Sequence, residues 1–300
     1  MKKPKFNRDQ ISLYLIMLPF IIWYMLFMFK PMYGLVIAFK DYSIFQGIAG
    51  SPWVGLKHFR MFLSSPEFYR TLKNTLMLNL YSLLIEFPLA ILIALMLNEV
   101  KNKIFRSFVQ TASFIPYFIA IVIAAGITIN MLSPNTGVVN IILQKLGFEK
   151  IYFLIKPQYF RGIFVGLNSW KNTGFNAIIY IAALTAVDEQ LYEAAKIDGA
   201  TKLQQLINIT IPSIMPTIVV MLILKIGSML SVAFETVLLL YQPATYETAD
   251  VISTYVYRTG VINQDFGLAT AVGLFNAIVA MLLVYTANTI SKKVANLGIW

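Results

Sequence analysis

The chain is 300 residues long, 58% hydrophobic and only 13% charged, proportions that exclude an ordinary soluble domain. Its net charge of +10 comes without a basic helix interleaved with aromatics, which argues against nucleic acid as a partner. Cysteine is absent, so disulfides, thiolate metal sites and cysteine nucleophiles are excluded.

The apolar residues come in runs of about 20, the length a helix needs to cross a hydrocarbon core of ~30 Å. Taken in order, they predict an all-α polytopic membrane protein. Residues 1–10 are basic and polar and lead directly into a first span over 11–29. That run is long for the apolar region of a signal peptide, and Lys30-Pro-Met-Tyr-Gly offers no small-x-small cleavage site, which favours an uncleaved span. Residues 30–73 are mixed and rich in aromatics, as expected of a segment at the membrane interface. A second span over 74–97 contains Glu86-Phe-Pro, and a basic turn at 98–107 carries Lys101, Lys103 and Arg106. The third span, 108–132, is broken by Ile115-Pro116, and a polar loop at 133–162 follows. The fourth, 163–184, contains Trp170-Lys-Asn-Thr-Gly-Phe. A fifth over 215–240, a loop at 241–265 and a sixth over 266–290 complete the chain. The chain reads as one membrane domain, its first span peripheral to the other five. Lys and Arg are densest in the short terminal segments and the 98–107 turn, so both termini are expected in the cytoplasm and the protein in the plasma membrane.

Residues 188–212 form the longest polar, helix-competent stretch. Asp188 is placed to cap a helix that Gly199 would end, and Thr201 with Gln204 forms a capping box for a second short helix. Leu203, Leu206 and Ile207 share one face of that second helix. Two short helices held out of the membrane read as a knob that another component grips.

Catalytic constellations are missing. There is one histidine, His58, and no Gly-x-x-x-x-Gly-Lys-Ser/Thr, so neither a histidine metal cluster nor a P-loop is available. The charges inside predicted spans are Glu86, Lys171, Lys225 and Glu235. Each is costly in lipid unless it faces protein or a water-filled cavity, although Lys171 and Glu235 lie where snorkelling to the interface would serve as well. Lys225 and Glu235 are ten positions apart, about 15 Å along a helix, and do not pair directly. Glu86 precedes Phe87-Pro88; it could line a cavity at a kink or make a static inter-helix hydrogen bond. Trp170-Lys171-Asn172 and Phe234-Glu235-Thr236 set rings beside hydrogen-bonding groups, a combination suited to sugar, while rings at an interface also serve as anchors.

The polar stretch carries a resemblance. Glu193-Ala194-Ala195, Gly199 and Ile209-x-Ile211-Pro212 look like the EAA loop of ABC importer permeases, Glu-Ala-Ala-x3-Gly-x9-Ile-x-Leu-Pro, departing only at Ile211. Trp53-Val-Gly-Leu-Lys-His-Phe, Asn74-Thr, Ala94-Leu-Met-Leu-Asn, Ile115-Pro and Trp170-Lys-x2-Gly-Phe are similar to carbohydrate-uptake permeases of the maltose-transporter type. Asn98-Glu-Val, Phe234-Glu and the closing Leu297-Gly-Ile-Trp300 resemble the branch serving complex oligosaccharides in Gram-positive bacteria.

The resemblance implies a type I ABC importer permease fold of six spans with no cofactor of its own, ATP and Mg being bound by a cytoplasmic ATPase dimer. The EAA loop docks into that ATPase: Glu193 makes the polar contact, Ala194 and Ala195 permit close approach, Gly199 makes the turn, and Asp198, Ala200, Ile209 and Pro212 complete the coupling set. Glu86, Trp170, Lys171, Asn172, Phe234 and Glu235 are the candidates for the substrate path. A second, homologous permease and an extracytoplasmic solute-binding protein or lipoprotein are the further partners, with an oligosaccharide as cargo. The alternatives are a stand-alone channel or secondary transporter, which has no use for the cytoplasmic knob, and an enzyme acting on lipid-linked sugar, which would want an acidic motif at the interface.

Overall fold

The computed structural model describes the backbone of residues 8–295 and the side chains of 13–293. The basic residues Lys2, Lys3, Lys5 and Arg8 and the closing Leu297-Gly-Ile-Trp300 therefore lie outside the side chains described. Among the described residues the protein is helical, with a single isolated bridge between Lys40 and Trp53.

The principal helices are α1 (Arg8–Tyr24), α2 (Lys57–Leu63), α3 (Pro66–Glu99), α4 (Lys103–Phe114), α5 (Ile121–Leu132), α6 (Pro157–Thr185), α7 (Glu189–Ile197), α8 (Lys202–Gly227), α9 (Phe234–Leu240) and α10 (Phe266–Ala295). Their starts follow capping chemistry. Ser65 accepts from the Phe68 N–H at 3.2 Å ahead of Pro66, and Asn102 accepts from Ile104 and Phe105 at 3.0 and 3.1 Å.

Four helical stretches are long and apolar enough to cross a membrane: Leu13–Phe39, Pro66–Glu99, Lys202–Gly227 and Phe266–Lys293. The third predicted span is broken, but a few residues after the expected Ile115-Pro116: the helix tightens to a 3-10 turn over Ile115–Phe118, and Lys103–Phe118 and Ile121–Leu132 meet at 97°, together making a fifth candidate. Helix α6 is long enough at 29 residues but interrupts its apolar surface with Arg161, Asn168, Lys171, Asn172 and Asn176.

The fifth predicted span needs correcting at both ends. What reads as a separate short helix at 201–210 continues without interruption into the apolar run, through one π turn at Leu206–Thr210. Pro212 follows just after that π turn, and around it the Thr210 hydroxyl bonds Gln205 O at 3.3 Å and the Ser213 hydroxyl Ile209 O at 2.7 Å. At the far end the helix stops at Gly227, and residues 228–233 turn before α9 begins, although the sequence stays apolar over Met229-Leu230 and Val232.

The chain divides into two compact units, residues 1–64 with 256–275, and residues 65–255 with 276–300. In the first, Phe39 stacks on Trp53 with centroids 5.6 Å apart, and the Lys40 ammonium donates to Ile48 O at 2.6 Å. His58 Nε2 lies 3.0 Å from Lys40 O, which gives the Trp53-to-Phe59 motif a structural role. The apolar window of Leu13–Phe39 buries none of its residues, leaving that surface for lipid or another chain.

The second unit is organised on α3 and α6. One cluster joins Ala90, Ala94 and Leu97 of α3 to Ala177, Tyr180, Ile181 and Leu184 of α6, with Ile214 of α8. Small residues at the crossing let the two backbones approach, the usual basis of helix association where lipid removes the hydrophobic incentive. Gly174 shows the same device against α4: a Cβ built there would collide with the carbonyl of Ser113. Gly174→Ala is expected to cost about 1–3 kcal/mol through that clash, read as a lower thermal midpoint of the purified permease. Gly166→Ala, on the same helix with nothing within 4 Å of the added carbon, is expected to be neutral or mildly stabilising; equal effects would remove the packing argument.

Candidate functional site

The polar hairpin is built from local signals that agree with one another. Asp188 accepts from the Gln190 N–H at 2.9 Å and opens α7. At its end Gly199 adopts φ +75°, its N–H bonds Lys196 O at 3.1 Å, and the Ala200 N–H reaches back to Ala195 O at 2.9 Å. That pair of bonds is a Schellman closure, which needs a left-handed residue at Gly199. Thr201 and Gln204 cap α8 reciprocally: Gln204 N donates to Thr201 Oγ1 at 3.3 Å, and Thr201 N to Gln204 Oε1 at 2.7 Å.

Two contacts fold α7 onto the base of α8. The Tyr192 hydroxyl meets Thr210 Oγ1 at 2.9 Å, and Gln205 donates to Ala200 O at 3.0 Å. Lys202 pairs with Glu99 of α3 at 2.7 Å, but both side chains are exposed, so the pair contributes little. Of the expected coupling residues, Glu193, Ala194, Asp198, Gly199 and Pro212 are exposed, while Ala195, Ala200 and Ile209 are half-buried. Ile197, Leu203 and Ile207 are exposed around them, and Leu206 is half-buried. The hairpin thus exposes Ile197, Leu203 and Ile207 among the charged side chains of Glu193, Lys196, Asp198 and Lys202.

The charged candidates fall into two cavities of the second unit. An open pocket of about 390 Å³ brings Lys171, Asn172, Phe234 and Glu235 together with Asn168 and Thr236. The Lys171 ammonium donates to Tyr117 O at 2.5 Å and lies 5.2 Å over the Tyr117 ring, which itself stacks on Phe175 at 3.8 Å. Tyr117 lies in the 3-10 turn Ile115–Phe118 just before the break ahead of α5, and its carbonyl is taken by the lysine. Glu86 lines a separate pocket of about 240 Å³ with Phe87, Asn176, Tyr180 and Ser228, and pairs there with Lys225 at 3.2 Å. Trp170 is half exposed and lines neither pocket.

One feature of α6 escaped the sequence reading. Asn168, Asn172, Asn176 and Tyr180 recur every fourth residue and so form one polar stripe, the first two lining one pocket and the last two the other. Among the described residues no cluster of three His, Asp or Glu side chains could hold a metal ion.

A helical chain with several lipid-length helices, a capped polar hairpin and polar cavities between its helices matches one family model, described as the binding-protein-dependent transport system inner membrane component, over residues 86–295. The chain belongs to that family. The permease is therefore a multi-pass membrane component of a transport system. It is 47% identical over 292 residues, 97% of this chain and 91% of the relative, to the polygalacturonan/rhamnogalacturonan transport system permease of Bacillus subtilis (strain 168). To the arabinooligosaccharides transport system permease of the same organism it is 29% identical over 294 residues, 97% of this chain and 90% of that one. Among solved structures it is similar to a chain of a bacterial ABC transporter involved in import of the acidic polysaccharide alginate. The TM-score is 0.90 at 47% identity, covering 96% of the permease and 97% of that chain. A second such chain comes from an alginate ABC transporter in complex with an alginate pentasaccharide-bound periplasmic protein, with TM-score 0.90 at 46% identity and coverage of 97% and 98%.

Proposed function

We propose that this permease is one of two homologous membrane chains of an ATP-driven importer for acidic oligosaccharides. The observation that carries the reading is near-half identity, over almost the whole chain, to a polygalacturonan permease and to a chain of an alginate importer. Both named cargoes are polymers of sugar acids. In this reading the chain is a single permease domain of six spans, with α6 as the fourth. Its polar stripe faces the translocation path, which accounts for a membrane helix too polar to meet lipid. The broken third span and the shortened fifth complete the set, and both termini lie in the cytoplasm.

The hairpin of α7 and the start of α8 then faces the cytoplasm and seats in the ATPase dimer, which binds ATP and Mg. Glu193 supplies the polar contact, Ala194 and Ala195 the close approach, and Gly199 the turn, with Asp198, Ala200, Ile209 and Pro212 shaping the fitting. ATP-driven closure of the ATPase moves this rigid knob and tips the spans between outward- and inward-facing states. A solute-binding protein delivers the sugar from outside, and Lys171, Asn172, Phe234 and Glu235 meet it in the wider pocket. The exposed Trp170 serves as an interface anchor in this arrangement.

The test is uptake of tetragalacturonate by proteoliposomes holding the complete transporter. Uptake is expected only with ATP, the ATPase and the loaded binding protein together. Uptake that persists without the ATPase would overturn the importer reading, and import of a neutral tetrasaccharide at an equal rate would overturn the acidic substrate class.

A further inference from the structure

Glu86 and Lys225 are 139 residues apart in the chain, yet their side chains meet at 3.2 Å between α3 and α8. An ion pair inside a membrane protein is a poor stabiliser. Desolvating both charges offsets most of their attraction, and well-packed neutral residues commonly do as well. Its presence on two apolar helices therefore asks for another reason.

The two partners are unequally accessible. The Glu86 side chain is 5% exposed and that of Lys225 33%, so of the two charges lining the 240 Å³ pocket the lysine is the more accessible. The rest of the lining suits a sugar acid. The Asn176 amide, the Tyr180 phenol and the Ser228 hydroxyl offer donors and acceptors for ring hydroxyls. Phe87 and Tyr180 stand edge to face with centroids 6.2 Å apart, providing an apolar wall for the C–H face of a pyranose. The position of the pocket is also informative. Asn172 lines the wider pocket and Asn176 this one, four residues further along the same face of α6, which is about 6 Å. The two pockets are successive stations on one polar stripe, each with a lysine: Lys171 at the first and Lys225 at the second.

We infer that Lys225 is a second binding station for a sugar carboxylate, with Glu86 as the internal counter-ion that holds the ammonium when no substrate is there. As an acidic chain advances from the first station, its carboxylate takes the exposed side of the ammonium in a charge-assisted hydrogen bond, and Asn176, Tyr180 and Ser228 take the neighbouring hydroxyls. Glu86 holds the Lys225 side chain in place between passages and leaves the more accessible partner to the cargo. The inference rests on the proposed acidic-oligosaccharide importer and adds a site to it.

The test again uses the complete transporter in proteoliposomes with tetragalacturonate. Lys225→Gln is expected to lower uptake about tenfold or more, the effect of losing one charge-assisted contact, while Lys225→Arg stays within about threefold of wild type. The deciding variant is the neutral pair Glu86→Gln with Lys225→Gln, which removes both charges and so leaves no unpaired one behind. Uptake by the pair is expected to stay as low as with Lys225→Gln alone, with the ATPase co-purifying at the wild-type level. Recovery of the pair to within twofold of wild type would mean that the two charges only neutralise each other, and would overturn the inference while leaving the proposed function standing. Failure of the wild-type transporter itself to import tetragalacturonate would instead take down the substrate class on which both rest.

Discussion

A transporter carrying Gly199→Val is expected to insert in the membrane and to lose at least about tenfold in ATP-dependent uptake, with the ATPase less tightly held. The reason is backbone conformation. Gly199 sits at φ +75°, a region a β-branched residue enters only as an outlier, at a cost of about 1–3 kcal/mol. A carbon added there meets no heavy atom within 4 Å, so the permease itself presents no steric obstacle. The Schellman bonds at 3.1 and 2.9 Å depend on that conformation, and they set the angle between α7 and α8. A graded series separates two causes. Asparagine tolerates the left-handed region and alanine does so less well, so a turn requirement predicts more uptake with Gly199→Asn than with Gly199→Ala. A requirement for clearance against the docked ATPase predicts the reverse order. Gly199→Asp matches asparagine in backbone tolerance but adds a charge beside Asp198 and near Glu193, and it is expected to uncouple more severely than asparagine. Wild-type uptake by Gly199→Val, measured together with ATPase co-purification, would remove the hairpin turn from the coupling mechanism.

The hairpin was legible in the sequence because its determinants are local. Asp188 caps two residues away, Thr201 and Gln204 cap across three, and Gly199 closes on Lys196 and on Ala195 through Ala200. The membrane helices were legible as apolar runs, but hydropathy reports apolarity and is silent on backbone hydrogen bonding. It therefore ran the fifth span past Gly227 and through the turn at 228–233, and it placed a boundary near Met215 where the helix is continuous. Pro116 announced the break in the third span; the 97° angle is accompanied by Lys171 bonding the Tyr117 carbonyl, a contact 54 residues away in sequence. The Glu86–Lys225 pair was invisible for the same reason.

Trp170 illustrates a different failure. Of the two groupings of a ring with polar neighbours, Phe234-Glu235-Thr236 lines the wider pocket together, whereas Trp170, about 200° around the helix from Asn172, does not join its neighbours there. Lys171 and Asn172 line the pocket and Trp170 does not. The spacing Asn168, Asn172, Asn176, Tyr180 obeyed the helical period and was the better signal. It also helps reconcile the composition of α6 with a place in the membrane: Asn168, Asn172, Asn176 and Tyr180 line cavities, while Phe164, Leu167, Ala177 and Leu184 are buried against neighbouring helices.

Asn74→Leu is expected to destabilise the second unit by about 3–5 kcal/mol. Asn74 is buried at the N-terminal end of α3, and its amide is a four-way junction. Nδ2 donates to the carbonyls of Tyr246, Glu247 and Asp250 at 3.4, 3.0 and 3.1 Å, and Oδ1 accepts from Arg161 of α6 at 3.1 Å. The adjacent Thr75 hydroxyl accepts from the Ile252 N–H at 3.0 Å, and Arg70 pairs with the fully buried Asp250 at 3.1 Å. This node ties the short helices at 243–255 to both long helices, which gives the Asn74-Thr motif its structural meaning. Leucine keeps the branching but is bulkier and donates nothing, so the buried Asp250 carbonyl and the Arg161 guanidinium lose this partner, and the cost is desolvation of those groups plus overpacking. Asn74→Asp keeps the acceptor for Arg161 but turns negative oxygen toward three carbonyls, and it is expected to do no better than leucine. Asn79→Ala is the control: Asn79 lies on the same helix and its amide bonds only the Thr75 carbonyl one turn back, at 2.9 Å, so a loss under about 1 kcal/mol is expected. Thermal unfolding of the purified transporter reads the difference, with a fall of more than about 5 °C expected for Asn74→Leu. A wild-type midpoint for that variant would show that the short helices at 243–255 are held by their apolar contacts alone, through Ala249 and Val251 in the core beside Leu78 and Phe160.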